Sequence, residues 1–120
     1  MKLEAQLLFA TPCDEEEDNM ALLCCHGTAG ELFLMSRFPG EDEIGISLGD
    51  FESEPDLVTN IKVTLTHTNL VIEVAAVDAG LFKGTDVLDI EHVTDPADLP
   101  EVLETLSNIL KGTGTLVNGL

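Results

Sequence analysis

Residues 61–74 alternate apolar and polar side chains with a period of two, turn once, and alternate again. Ile61, Val63 and Leu65 fall on one face, with Lys62, Thr64 and Thr66 opposite. After His67-Thr68-Asn69 the return places Leu70, Ile72 and Val74 inward and Glu73 outward. A repeat of two is that of a half-buried strand, and asparagine suits a tight turn. Two strands alone are marginal in water, so this hairpin needs further strands or a helix to cover its apolar face.

The rest of the chain supplies both. In residues 2–10, Leu3, Ala5, Leu7 and Phe9 share one face, with Lys2, Glu4 and Gln6 on the other. Residues 20–26 (Met-Ala-Leu-Leu-Cys-Cys-His) are too short and too continuously apolar for an amphipathic helix, and suit a strand buried on both faces. Residues 31–38 read as another strand after the turn Gly27–Gly30, so three strands with short turns suggest an antiparallel meander. Ile44, Ile46 and Leu48 predict a short edge strand weakened by Gly45 and Gly49. Residues 76–80 read as a short turn, and Leu88 and Ile90 mark the last strand.

One segment is helical. Asp98 is a good N-cap, Pro100 suits the first turn, and Glu101 stands three residues after Asp98 as a capping box wants. Leu99, Val102, Leu103, Leu106, Ile109 and Leu110 form one apolar stripe. Lys111 lies at the end and Gly112 follows as the terminator. The Gly-rich segment 113–120 reads as a flexible C-terminal tail on a single domain, 1–112. The expected fold is therefore α+β: an antiparallel sheet of about six strands with one C-terminal amphipathic helix packed on one face.

Charge restricts partners. Twenty-three acids against five bases leave a net charge of −18, which repels nucleic-acid phosphates. No apolar run reaches the ~18 residues of a membrane span, and the first residues show no signal peptide, so a cytoplasmic location is expected. The odd set Cys13, Cys24 and Cys25 argues against a disulfide framework and for a reducing compartment. A strongly acidic surface suits either a basic protein partner, whose approach it accelerates, or adaptation to the milieu of an acidic proteome. The acids cluster: Asp14, Glu15, Glu16, Glu17 and Asp18 are consecutive, Glu41, Asp42 and Glu43 follow Pro39-Gly40, and Asp50, Glu52, Glu54 and Asp56 surround Pro55. These turn-like clusters are the candidate partner-binding residues.

Chemistry is not announced. Cys24-Cys25-His26 lacks the spacing of a zinc site, because neighbouring strand residues diverge and no second pair exists. No serine stands in a nucleophile elbow, and the acidic run beside Cys13 disfavours a thiolate. Asp14–Asp18 lacks the spacing and glycine of an EF-hand loop. Gly112-Thr113-Gly114 follows a helix, where a phosphate loop would precede one. No catalytic residue, metal ligand or cofactor is assigned.

The order Ile44-Gly45-Ile46-Ser47-Leu48-Gly49-Asp50, then Ile61–Leu65 with Leu70–Val74, a short turn, the strand Val87–Ile90 and the helix Pro100–Leu110, resembles a group of bacterial immunity proteins from polymorphic toxin systems, the group catalogued as family ten. The resemblance spans roughly residues 44–110. That family's tyrosines after the Leu-Gly segment have no counterpart here, where Phe51 stands and tyrosine is absent. The resemblance implies a cytoplasmic, non-catalytic protein that binds and neutralises a cognate toxin. The other expectation is an acidic secretion chaperone or adaptor that binds effector proteins. Such chaperones generally begin with a helix, whereas residues 2–10 read as a strand.

Overall fold

The apolar alternation is realised as nine strands and one helix in a computed structural model that describes residues 2–49, 56–75 and 85–120, with the Glu17 side chain excepted. The strands are β1 (Lys2–Asp14), β2 (Met20–Gly27), β3 (Leu32–Arg37), β4 (Ile44–Leu48), β5 (Asp56–Val58), β6 (Ile61–Leu65), β7 (Asn69–Glu73), β8 (Val87–Glu91) and β9 (Gly114–Asn118), with the helix α1 (Leu99–Leu110) before β9. They form one sheet in the order β5-β4-β3-β2-β1-β8-β7-β6-β9. The α+β class holds, but the sheet has nine strands rather than about six. It is antiparallel except where β1 meets β8 and β6 meets β9. The expected turn at 76–80 lies outside the described residues.

β1 joins the two halves of the sheet. Lys2–Glu4 pair with β8, and Ala5–Asp14 pair with β2. Between these pairings the strand carries a bulge: Ala5 faces Gly27 and Leu8 faces Cys25, so three steps on β1 match two on β2. The extra residue reverses the alternation. Leu3, Ala5 and Leu8 are buried, whereas Leu7 and Phe9, expected inside, are 42% and 55% exposed. A second register shift, between Thr11 and Asp14, precedes the turn into β2.

Two further expectations are corrected at the margins. β4 is not an edge, because Ile44, Gly45 and Ile46 pair with Val58, Leu57 and Asp56 of β5. The segment expected to be a free tail contributes β9, which runs parallel to β6 from Ile61↔Gly114 to Leu65↔Asn118. β2 is also not buried on both faces: Ala21, Leu23 and Cys25 are buried, and Met20, Leu22 and Cys24 only partly.

The inward residues of β1–β8 and the helix stripe form one core, against which Leu116 of β9 is partly buried. Phe33, Met35, Leu23, Ile46, Val63, Leu65, Ile72, Leu88 and Ile90 lie in it with Val102, Leu106 and Ile109. Each such side chain contributes roughly 1.5–3 kcal/mol by leaving water. A single helix is about 10 Å wide and covers two or three strands. Yet inward side chains from β1 to β8 are buried, so the sheet must curl around its own core. The extents of 35 × 32 × 27 Å agree, since nine strands laid flat would span about 38 Å with little depth. No described helix is long and apolar enough to cross a membrane.

The helix start departs from the capping expectation. Asp98 occupies the N-cap, but in a helical conformation (ψ −14°) and with no side-chain cap bond, so the Asp98–Glu101 box is not formed. The helix end is held from outside, by Arg37.

Candidate interaction surface

The acidic run folds as a tight turn. The Asp14 carboxylate accepts from the Glu16 N–H at 3.1 Å, and the Asp14 carbonyl accepts from the Asn19 N–H at 2.8 Å. The chain closes through Asp18 and Asn19 in the left-handed region, with φ of 56° and 63°. Asp and Asn are the non-glycine residues that reach this region at least cost. Glu15, Glu16 and Asp18 are exposed, and Asp14 is half-buried beneath them.

The second acidic cluster lies at the same end of the sheet. Ala21, just past the first turn, pairs with Arg37, and Arg37 leads into Phe38-Pro39-Gly40 and the exposed Glu41, Asp42 and Glu43. Gly40 takes φ 84°, which favours glycine. The Arg37 Nε and Nη2 donate to the Glu41 carbonyl at 3.0 and 2.8 Å. Its Nη1 reaches across to the helix end, donating to the Ile109 carbonyl at 3.1 Å and to the Lys111 carbonyl. Arg37 therefore satisfies orphan carbonyls and places positive charge at the negative end of the helix dipole. Its donors are committed to the backbone, so it organises this end of the molecule.

Between the two turns and the helix end opens a cleft of about 550 Å³. Its walls are Pro12, Cys13, Ala21, Phe38 and Pro39, with Arg37, Asn108 and Lys111 on the helix side. The Asn108 amide donates to the Pro12 carbonyl at 2.9 Å and ties helix to hairpin. Phe38 is 40% exposed, so the cleft offers an aromatic face. The lining is mostly apolar, with Arg37 and Lys111 as its charged members; no carboxylate lines it, and the acidic residues 14–18 and 41–43 follow its wall residues Cys13 and Gly40 along the chain. The described ion pairs lie elsewhere, at Lys2–Glu91 (2.9 Å) and Lys62–Glu73 (3.9 Å). The carboxylates of the two turns thus have no described cation of this chain as a salt-bridge partner.

The structure brings together Asp14, Glu15, Glu16 and Asp18 with Glu41, Asp42 and Glu43; Glu17 shares their backbone turn. It does not bring Asp56 into a loop. That residue opens the edge strand β5 opposite Ile46 and is exposed there. Asp50, Glu52 and Glu54 lie outside the described residues.

Other reactive side chains are held apart. Cys25 is fully buried and burial pushes its thiol up to about 12, while Cys24, on the other face of β2, is raised in the same way. No three His, Cys, Asp or Glu side chains among the described residues converge as metal ligands. His92 is buried in a network that sequence reasoning missed. Its Nε2 faces the Thr66 carbonyl at 3.2 Å and must carry the proton, while Nδ1 lies 2.9 Å from the Thr94 hydroxyl. That hydroxyl also accepts from the Leu8 N–H at 2.9 Å, beside the bulge. The role of Arg37 was equally hidden, because its partners at Ile109 and Lys111 are more than seventy positions away.

No family model, curated protein or solved structure matches this chain.

Proposed function

We propose that the chain is a toxin-neutralising immunity protein that binds a basic toxin domain and occludes its active site. The observation that supports this reading is the placement of two exposed carboxylate-bearing turns at one end of the sheet, beside a mostly apolar cleft. Carboxylates without cations of their own attract a basic surface and speed its encounter, and an apolar depression gives the docked partner something to fill. Enzymes that act on nucleic acids carry basic surfaces for phosphate, so an acidic protein seated there excludes substrate without chemistry of its own. The pattern resemblance of residues 44–110 to bacterial immunity proteins points the same way.

The test is a pull-down from the organism that makes the chain, at low and at moderate salt, followed by expression of the recovered protein with and without the chain. The expected result is one basic toxin domain, lost as salt rises, whose toxicity the chain relieves. Lysine substitution of Asp14–Asp18 should slow association at low salt by at least about tenfold. Capture of several secreted effectors, or toxicity that persists, would overturn the proposal and favour the chaperone.

A further inference from the structure

The two edges of the sheet are built differently. β5 is three residues long and opens with the exposed Asp56, a short and charged strand of the kind that discourages pairing with another chain. β9 is five residues long and holds an unbroken register against β6. It contains no charged residue and no proline. Four of its five residues are exposed, and Leu116 is half-buried. Lys111 carries the only charged side chain after Glu104, in a chain of net charge −18. An edge so regular and so free of charge is a template for one more strand.

The register tells which backbone groups are free. The Gly119 N–H donates to the Leu65 carbonyl at 2.8 Å, and Leu65 pairs with Asn118. In a parallel ladder alternate residues turn their N–H and C=O towards the neighbouring strand. Thr115, Val117 and Gly119 therefore face β6, while the N–H and C=O of Leu116 and Asn118 point outward. No described strand pairs with that side of β9.

Position and charge choose the occupant. Lys111 and Gly112 line the cleft whose walls lead, through Cys13 and Gly40, into the acidic residues 14–18 and 41–43. β9 begins at Gly114, three residues after Lys111 and so within about 11 Å of it. A strand laid along β9 thus has one end at the acidic turns, which attract cations there. A second copy on the same edge would bring −18 to −18 and offer those carboxylates no cation. We infer that the free edge of β9 takes up an extended segment of the basic partner as an added strand, with the cations flanking that segment at the acidic turns. Main-chain hydrogen bonds to Leu116 and Asn118 supply affinity, and charge selects the partner. This rests on the basic-partner part of the proposed function and not on the partner being a toxin.

The experiment needs no toxin. Isotope-labelled protein is titrated with a peptide of alternating threonine and valine flanked by lysines. The control is the same peptide N-methylated along the threonine–valine stretch, which keeps its charge but cannot donate to a sheet edge. Amide shifts and hydrogen exchange are followed by NMR. Both peptides should shift the amides of residues 14–18 and 41–43. Only the unmethylated peptide should slow exchange at Leu116 and Asn118, and it should bind at least about tenfold tighter, or about 1.4 kcal/mol. Asn118→Pro removes an outward N–H and spares the bonds of Val117 and Gly119 to β6. It should erase that margin while Val63 and Leu65 keep their exchange protection, which separates lost pairing from a lost strand. Equal affinity of the two peptides, or exchange at Leu116 and Asn118 that the unmethylated peptide does not slow, would overturn the inference. So would a dimer in sedimentation at high salt that Asn118→Pro dissolves, because the edge would then belong to a second copy. The basic-partner reading fails separately, if neither peptide shifts the acidic turns, and the toxin reading fails in the toxicity assay.

Discussion

His92 shows how one side chain ties distant parts of the chain together. Its ring bridges the β6–β7 turn through Thr66 and the bulge of β1 through Thr94 and Leu8. The network needs a neutral ring, because Nδ1 must accept from the Thr94 hydroxyl. Burial lowers the His92 pKa below its ordinary 6.5, against opposing hydrogen bonds from the Thr66 and Asn69 backbone. Glu4 and Glu91 line the same groove, yet desolvation prevails. The unfolded chain thus binds the proton more readily than the folded one. The stabilisation is complete above about pH 6.5 and is lost as pH falls from there towards the lower folded value. Urea melts of wild type and His92→Gln at pH 8 and pH 5.5 check this. Wild type should lead by roughly 1–2 kcal/mol at pH 8, and the lead should shrink at pH 5.5. A constant lead would show that His92 does not titrate in this way. Acid also relieves carboxylate repulsion in both proteins, so the difference between them is the quantity to read.

At the scale of elements, what the sequence revealed follows the range of the contacts. The β6–β7 hairpin and the stripe of α1 rest on spacings of two to four residues, and both lie where the pattern places them. The bulge in β1 leaves no local mark. Leu7-Leu8-Phe9 offers apolar side chains in either phase, and only the pairing with β2 selects Leu8 for the core. The acidic turns were legible as turns, but their convergence depends on the register Ala21↔Arg37 and on helix carbonyls. β9 was hidden by Gly112, Gly114 and Gly119, which read as breakers. Gly114 is instead required by close approach: a Cβ there would stand 2.7 Å from Leu110 Cδ2 and 2.8 Å from the Ile61 carbonyl oxygen. The second of these is backbone in a buried strand and cannot swing aside. Gly114→Val should therefore cost about 1–3 kcal/mol and release β9 from β6. Thermal melts and amide exchange across residues 61–65 and 114–118 check it. Unchanged protection of both strands would mean the edge tolerates the added bulk.

For the whole molecule, −18 charges surround a core held by a curled sheet. Most of the described carboxylates are exposed, and the two described ion pairs are themselves exposed and screened by solvent, so they offset little of that charge. Self-repulsion is then a standing cost of the folded state, while the core is indifferent to dilute electrolyte. Between about 10 mM and 1 M salt the Debye length falls from about 30 to about 3 Å. Repulsion between exposed carboxylates is therefore long-ranged at the low end of that range and confined to near neighbours at the high end. Raising sodium chloride over it should raise the melting temperature, steeply at first and then levelling as screening saturates. Neutralising Glu15, Glu16, Glu41 and Glu43 to Gln should raise the low-salt melting temperature and flatten the salt response. The same four changes should weaken capture of a basic partner at low salt. Stability and association would then respond to salt in opposite directions through one set of side chains, the signature of carboxylates retained for a partner at the expense of the fold. A variant whose low-salt stability does not rise would show that the turns already disperse their charge into solvent, and the repulsion would have to come from the remaining acids.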